Sequence, residues 1–172
     1  FNVVLPFVKD LMALSEKYGL PVKFRIPDTL GLGLPFPEAA LPRSIPKIIF
    51  VLTKLGGVPS DCIEFHGHSD FHLSVVNSMA AWLYGAGGVN CTLLGIGERT
   101  GNTPLEAMVM TYIQLTGTTE GMSTVVITEI ANYYEDVFGY KIPPFQPFVG
   151  KNFNVTRAGI HADGLIKNER VY

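Results

Sequence analysis

The chain has 172 residues, 47% hydrophobic and 16% charged, with a formal net charge of −2. That is enough apolar material for a packed core, which excludes a disordered chain, and the length suits one domain or part of a larger one. Without a basic excess, nothing in the charge points to nucleic acid or an anionic membrane as partner.

Val4, Val8, Leu11, Met12 and Tyr18 recur at helical spacing, and Gly19 ends the run. Lys9 and Asp10 interrupt its apolar stretch, so it is not read as a secretory signal. Phe1 is not an initiator Met, and the chain is expected to begin inside a longer, cytoplasmic protein. A strand is predicted over 21–28, where Val22, Phe24 and Ile26 alternate with Lys23 and Arg25. A Gly/Pro-rich loop runs from Gly31 to Pro46, and a helix carrying Ile45, Ile48, Ile49, Leu52 and Leu55 ends at Gly56-Gly57. Residues 61–68 read as a strand and 70–84 as a helix, with Asp70 at its start, where a carboxylate suits the dipole, and His72 in its first turn. Residues 89–94 read as a third strand. Phe71 to Gly97 holds no charged residue, but Gly85-Ala86-Gly87-Gly88 breaks it and Asn77 and Asn90 lie within it. It is therefore a buried helix-turn-strand unit rather than a membrane span. Thr103-Pro104-Leu105-Glu106 reads as a capping box with Pro at the first helical position. A further helix is predicted over 124–138. Pro143, Pro144 and Pro147 then mark a linker, and 150–172 looks irregular, with room for a short final helix. Cys62 and Cys91 sit in apolar runs and read as small buried hydrophobes rather than a disulfide. The sequons at Asn90 and Asn154 carry no expectation of glycosylation without a secretory signal.

Alternation of strand and helix with short connections is the pattern of a parallel α/β architecture. Val22, Phe24 and Ile26, then Ile63 and Phe65, then Val89, Cys91 and Leu93 make one apolar face. Lys23, Arg25 and Thr29, then Glu64, His66 and His68, then Asn90 and Thr92 make the opposite polar face. A doubly wound sheet is apolar on both faces, whereas a TIM (β/α)8 barrel has helices outside and polar strand ends at its C-terminal mouth. About three strands, against the eight that close such a barrel, make this the C-terminal part of one.

His66 and His68 share a strand face, so both imidazoles leave its C-terminal end together, as at the start of a divalent metal site. Two histidines satisfied by hydrogen bonds are the plain alternative. Asp70 and His72 raise a dinuclear hydrolase pattern, but Phe71 separates them and the spacing fails. Gly95-Ile96-Gly97-Glu98-Arg99-Thr100-Gly101-Asn102 follows a strand and precedes a helix. Its glycines permit close backbone approach, and it puts Glu98 and Arg99 at the barrel mouth, or else forms a tight turn with a local ion pair. It lacks the Lys-Ser/Thr ending of a nucleotide cradle. Asp28-Thr29 either forms an Asx turn or offers the Thr29 hydroxyl to a substrate carboxylate. His161 lies in the irregular C-terminal region.

Taken together, Asp28-Thr29-Leu30-Gly31, His66-Gly67-His68-Ser69-Asp70, Leu94 to Asn102 and Ala158-Gly159-Ile160-His161-Ala162-Asp163-Gly164 resemble, in order and spacing, one known family. It is the 2-isopropylmalate synthase, homocitrate synthase and Re-type citrate synthase family of DRE-TIM metallolyases. Leu41-Pro42-Arg43-Ser44-Ile45-Pro46 and Thr92 to Glu106 are most similar to its Re-citrate synthase-like members. The resemblance implies a TIM barrel portion over 1–140, then a linker and the start of a lid subdomain over 141–172. It implies a Claisen condensation of acetyl-CoA with a 2-oxo acid, giving citrate, homocitrate or an isopropylmalate-like product, with a divalent Mg, Mn or Zn ion polarising the keto carbonyl. On matching positions, His66, His68 and Asn102 would be metal-binding, and Thr29 and Arg25 would bind the 2-oxo acid. Glu98 and Arg99 would shape the acetyl-CoA side, and His161 would bring proton transfer from the lid, in a homodimer with lid exchange. This chain departs in having Ser69 where the family usually has Asn. The family's first-strand Asp ligand and catalytic Glu would precede Phe1, so the isolated chain is expected to be inactive. A lyase or carboxyltransferase of the same superfamily, or a non-catalytic partial barrel, are the rival readings.

Overall fold

A computed structural model describes residues 2–168. Three strands, β1 (Phe24–Asp28), β2 (Ile63–Gly67) and β3 (Gly88–Asn90), form one parallel sheet in chain order. The register sets Arg25 beside Glu64, Ile26 beside Phe65 and His66 beside Asn90. Parallel neighbours require crossovers. Helix α2 (Ile45–Phe50) lies on the first crossover and α3 (Ser74–Leu83) on the second, while α1 (Val4–Tyr18) precedes the sheet and α4 (Leu105–Thr116) follows it. Val8, Ile45, Ile49, Leu52, Ile63, Phe65 and Ala81 meet in one buried cluster, so the helices cover the Ile63–Phe65 face. On the other face Asn90 bonds both Glu64 and His66. Among the described residues the three strands form an open arc, not a closed barrel.

Local expectations are corrected in several places. The first strand is shorter than 21–28, and the helix after Pro46 widens to π-helical winding over Val51–Leu55, where the Thr53 hydroxyl bonds back to the Ile49 carbonyl. The helix expected from Asp70 starts at Ser74. His72 takes a left-handed turn (φ 59°), and Asp70 faces Arg99 instead of a helix terminus. The third strand stops at Asn90, because the Thr92 N–H goes to the Thr103 carbonyl and a 3-10 turn follows at Leu93–Gly95. No capping box forms. Pro104 occupies the N-cap position, and the Thr103 hydroxyl turns inward to Ser78 (3.0 Å).

The chain divides into two compact units, Phe1–Thr119 and Glu120–Tyr172. The sheet and α1 to α4 make the first. The second holds α5 (Val125–Phe138), ended by Gly139, and α6 (Gly159–Lys167), the short final helix for which the sequence left room. Among the described residues no helix is long and apolar enough to cross a membrane. Cys62 and Cys91 are free thiols, and burial, with Glu106 nearby, pushes Cys91 up to about 11.

Candidate functional site

At the C-terminal end of β2 the two imidazoles converge. His66 Nε2 and His68 Nε2 are 3.1 Å apart, and His68 is buried. From β3, Asn90 Oδ1 lies 2.8 Å from His66 Nδ1, while its amide nitrogen donates to Glu64 Oε1 (3.2 Å). A reversed amide would set its oxygen against the Glu64 carboxylate, so the orientation is determined by its partners. Glu64 in turn accepts from Arg25 (3.0 Å). Burial acts to raise Glu64, but the bonds from Arg25 and Asn90 outweigh it and hold the carboxyl below its ordinary value. A polar chain thus runs from Arg25 through Glu64 and Asn90 to His66.

On the other side, Arg99 Nη2 lies 3.0 Å from His68 Nδ1. The same guanidinium grips the Asp70 carboxylate through Nε (2.8 Å) and Nη2 (3.1 Å) and donates to the Thr29 carbonyl. Arg99 therefore ties the end of β1, the end of β2 and its own loop together. Its bond pulls Asp70 below the usual carboxylate range.

The Gly95–Asn102 loop returns to β2. Asn102 is buried, its backbone bridges to His68, and the Ser69 N–H donates to the Gly101 carbonyl (3.0 Å). The Asn102 amide nitrogen is 3.4 Å from His66 Nε2 and donates to the Gly67 carbonyl (3.2 Å). A Cβ at Gly97 would overlap Asn102 Oδ1. One at Gly101, at φ 98°, would overlap the Gly95 carbonyl, so these two positions admit only glycine in this geometry. Glu106, 4% exposed, anchors the loop's entry by accepting from the N–H of Leu94, itself at φ 57°. Burial raises Glu106 above its ordinary 4.5 despite that bond. The native state then holds the proton more tightly than the unfolded chain. The associated stability is full below pH 4.5 and drains as pH rises through the raised value. Glu106→Gln keeps an acceptor for Leu94 and removes the charge. Urea unfolding of this variant is expected to lose that part of the decline with pH, and an unchanged slope would show that Glu106 does not contribute it.

The structure thus brings His66, His68, Asn102 and Arg99 together. Glu98 stands in solvent, its side chain 76% exposed, 3.7 Å from Arg99. Arg25 is engaged by Glu64. Thr29 gives its carbonyl to Arg99 and also lines a cavity of about 310 Å³ with Asp28, Leu32, Arg43 and Ile45, which none of the three metal candidates lines. Asp28 accepts from the N–H groups of Leu32 and Gly33, four and five residues on rather than the two of an Asx turn, so its carboxylate gathers the following loop instead. His161 is an exposed residue of α6 in the second unit, on a helix rather than a loop. Asn90, Asp70 and Glu106 have site contacts that the sequence reading did not assign. For Asn90 the signal was available, since it shares the polar face with His66.

Among the described residues no cluster of three or more His, Cys, Asp or Glu gathers that could hold a metal ion. The available donor set is two imidazoles and one amide. Two nitrogens about 2.1 Å from one ion at a right angle are about 3.0 Å apart. The observed 3.1 Å fits such a pair. A ligand role for Asn102 needs its amide turned, oxygen toward His66, at the cost of the Gly67 bond.

Residues 3–133 match the HMGL-like family model. The chain is 52% identical over its whole length to a citrate (Re)-synthase of Clostridium kluyveri and 49% to one of Syntrophus aciditrophicus. It spans 38% and 27% of those two proteins. Among solved structures it is similar to an HMG-CoA lyase from Acinetobacter baumannii, at a TM-score of 0.60 and 20% identity, covering 87% of this chain and 47% of that one. The family match and this likeness identify the fold as TIM-barrel-type, of which the chain holds three adjacent strands.

Proposed function

The chain belongs to the HMGL-like family, and on that footing we propose that the protein containing it is a metal-dependent acyltransferase. It condenses acetyl-CoA with a 2-oxo acid in a Claisen reaction and hydrolyses the thioester, releasing free coenzyme A. The two citrate (Re)-synthases at 52% and 49% identity favour citrate as the product, and hence a four-carbon 2-oxo diacid as acceptor. The observation that carries the reading is the convergence of His66 and His68 Nε2 beside Asn102.

In this reading His66, His68 and Asn102 hold the divalent ion, which when bound supplies Lewis-acid polarisation of the keto carbonyl. Asn90 keeps the His66 ring turned toward it, and Arg25 steadies Asn90 through Glu64. Thr29 offers its hydroxyl to the substrate carboxylate at the end of β1. Glu98 and Arg99 face the acetyl-CoA side, and His161 serves proton transfer from a lid that begins after residue 140. The remaining ligands come from parts of the protein outside this chain, which acts as a cytoplasmic homodimer.

The test supplies the full-length protein with acetyl-CoA, Mg²⁺ or Mn²⁺ and a panel of 2-oxo acids, and follows free thiol. Release that depends on one acid is expected. No release with any acid would return the protein to lyase or carboxyltransferase chemistry, or to a barrel without catalysis.

A further inference from the structure

The hydrogen bonds around the histidine pair allow one proton assignment. The Asn90 oxygen only accepts, so His66 carries its proton on Nδ1 and leaves Nε2 bare. The Arg99 guanidinium only donates, so His68 accepts at Nδ1 and, as a neutral ring, carries its proton on Nε2. The 3.1 Å contact is then a hydrogen bond from His68 Nε2 to His66 Nε2. Any other tautomer of either ring would set two donors or two acceptors against each other.

A ring ligates an ion through a bare nitrogen. His66 meets that condition as it stands, and His68 does not, because the nitrogen that faces His66 holds the proton. We infer that Arg99 is a latch on His68. The ring can ligate through Nε2 only when its proton passes to Nδ1 and Arg99 leaves that nitrogen. Ligation by His68 and the Arg99–His68 bond therefore exclude each other, and by linkage each weakens the other by the same factor.

The surroundings suit the exchange. Arg99 stays tethered by Asp70, whose Oδ1 it holds at 2.8 Å through Nε, an atom that does not meet His68. The nitrogen that meets His68 has two hydrogens for three acceptors, His68 Nδ1, the Thr29 carbonyl and Asp70 Oδ2, so it can leave His68 and keep the other two. Arg99 stands three residues before Asn102, so its release transmits ligation at β2 to the glycine loop and to the Thr29 end of β1. Arg99 acts here as a positioning residue, through His68.

The inference rests on the metal reading above, and one experiment separates their failures. The full-length protein, labelled with ¹⁵N in its histidine rings, is stripped with a chelator and titrated with Zn²⁺, and the ring nitrogens are followed by NMR. In the stripped protein His68 is expected to favour the proton on Nε2 by at least about tenfold, the scale of a hydrogen bond from a charged donor. His66 is expected to carry its proton on Nδ1. On adding Zn²⁺, His68 moves to the Nδ1–H form. In stripped Arg99→Met the His68 preference is expected to weaken, since only the bond to His66 Nε2 then holds its proton on Nε2, while His66 keeps its own, and if that variant does not fold the native protein decides alone. A stripped His68 already protonated on Nδ1 overturns the latch alone, and a bound ion that leaves Nε2 protonated overturns the latch and takes His68 out of the ligand set. Zn²⁺ that shifts neither ring removes the metal reading and the latch with it.

Discussion

The variant carrying both His66→Ala and His68→Ala is expected to lose saturable Mg²⁺ or Zn²⁺ binding and to slow thiol release by about 10³-fold, a loss of about 4 kcal/mol in transition-state stabilisation. Either single substitution should cost nearly as much, because ligands of one ion act as a unit. The fold should survive. Arg99 keeps Asp70 and the Thr29 carbonyl without His68, and Asn90 keeps Glu64 without His66. Isothermal titration with the ion, circular dichroism and the thiol assay on the same preparation check the three parts. Ion affinity retained in a folded double variant would remove these residues from the metal site.

The pairing of His66 with His68 and the sidedness of the sheet were legible because both rest on the period of two along a strand, which needs no tertiary information. The same rule set Arg25, Glu64, His66 and Asn90 on one face, yet it could not say which would bond. That depends on register, which sets Arg25 beside Glu64 and His66 beside Asn90. Asp70 was misread for a related reason. A carboxylate before an apolar run is good helix-start chemistry, but its partner, Arg99, is 29 residues away. The Ser69 N–H goes to the Gly101 carbonyl, the His72 N–H closes a turn on the Ser69 carbonyl, and the helix starts only at Ser74. Thr103 and Glu106 had the spacing of a capping box, and both were claimed by the fold instead, one by Ser78 and the other by Leu94. Residues that act through their neighbours on a strand could be found from the chain alone. Residues whose partners arrive from a distant loop could not.

Phe65→Ala is the second large effect, and it tests the sheet rather than the chemistry. Phe65 is fully buried and alternates with His66, so its ring fills the helix-side core directly behind the polar face. It lies among Ile49, Ile63 and Ala81, and a Cβ at Gly67 would press on its edge. Truncation is expected to cost about 3–5 kcal/mol, the lost transfer energy plus the cavity left behind. Phe71, 59% exposed, is the internal comparison, and Phe71→Ala should stay within about 0.5 kcal/mol of the native protein. Urea midpoints of the two variants read this difference. A loss of 3 kcal/mol or so is a large share of a typical domain's stability, and β2 carries His66 and leads directly into His68, so Phe65→Ala should weaken ion binding as well as the fold. Equal midpoints for the two variants would mean that β2 does not present its odd-numbered residues to the core. The even-numbered histidines would then not share the opposite face, and the geometry on which the metal reading stands would be gone.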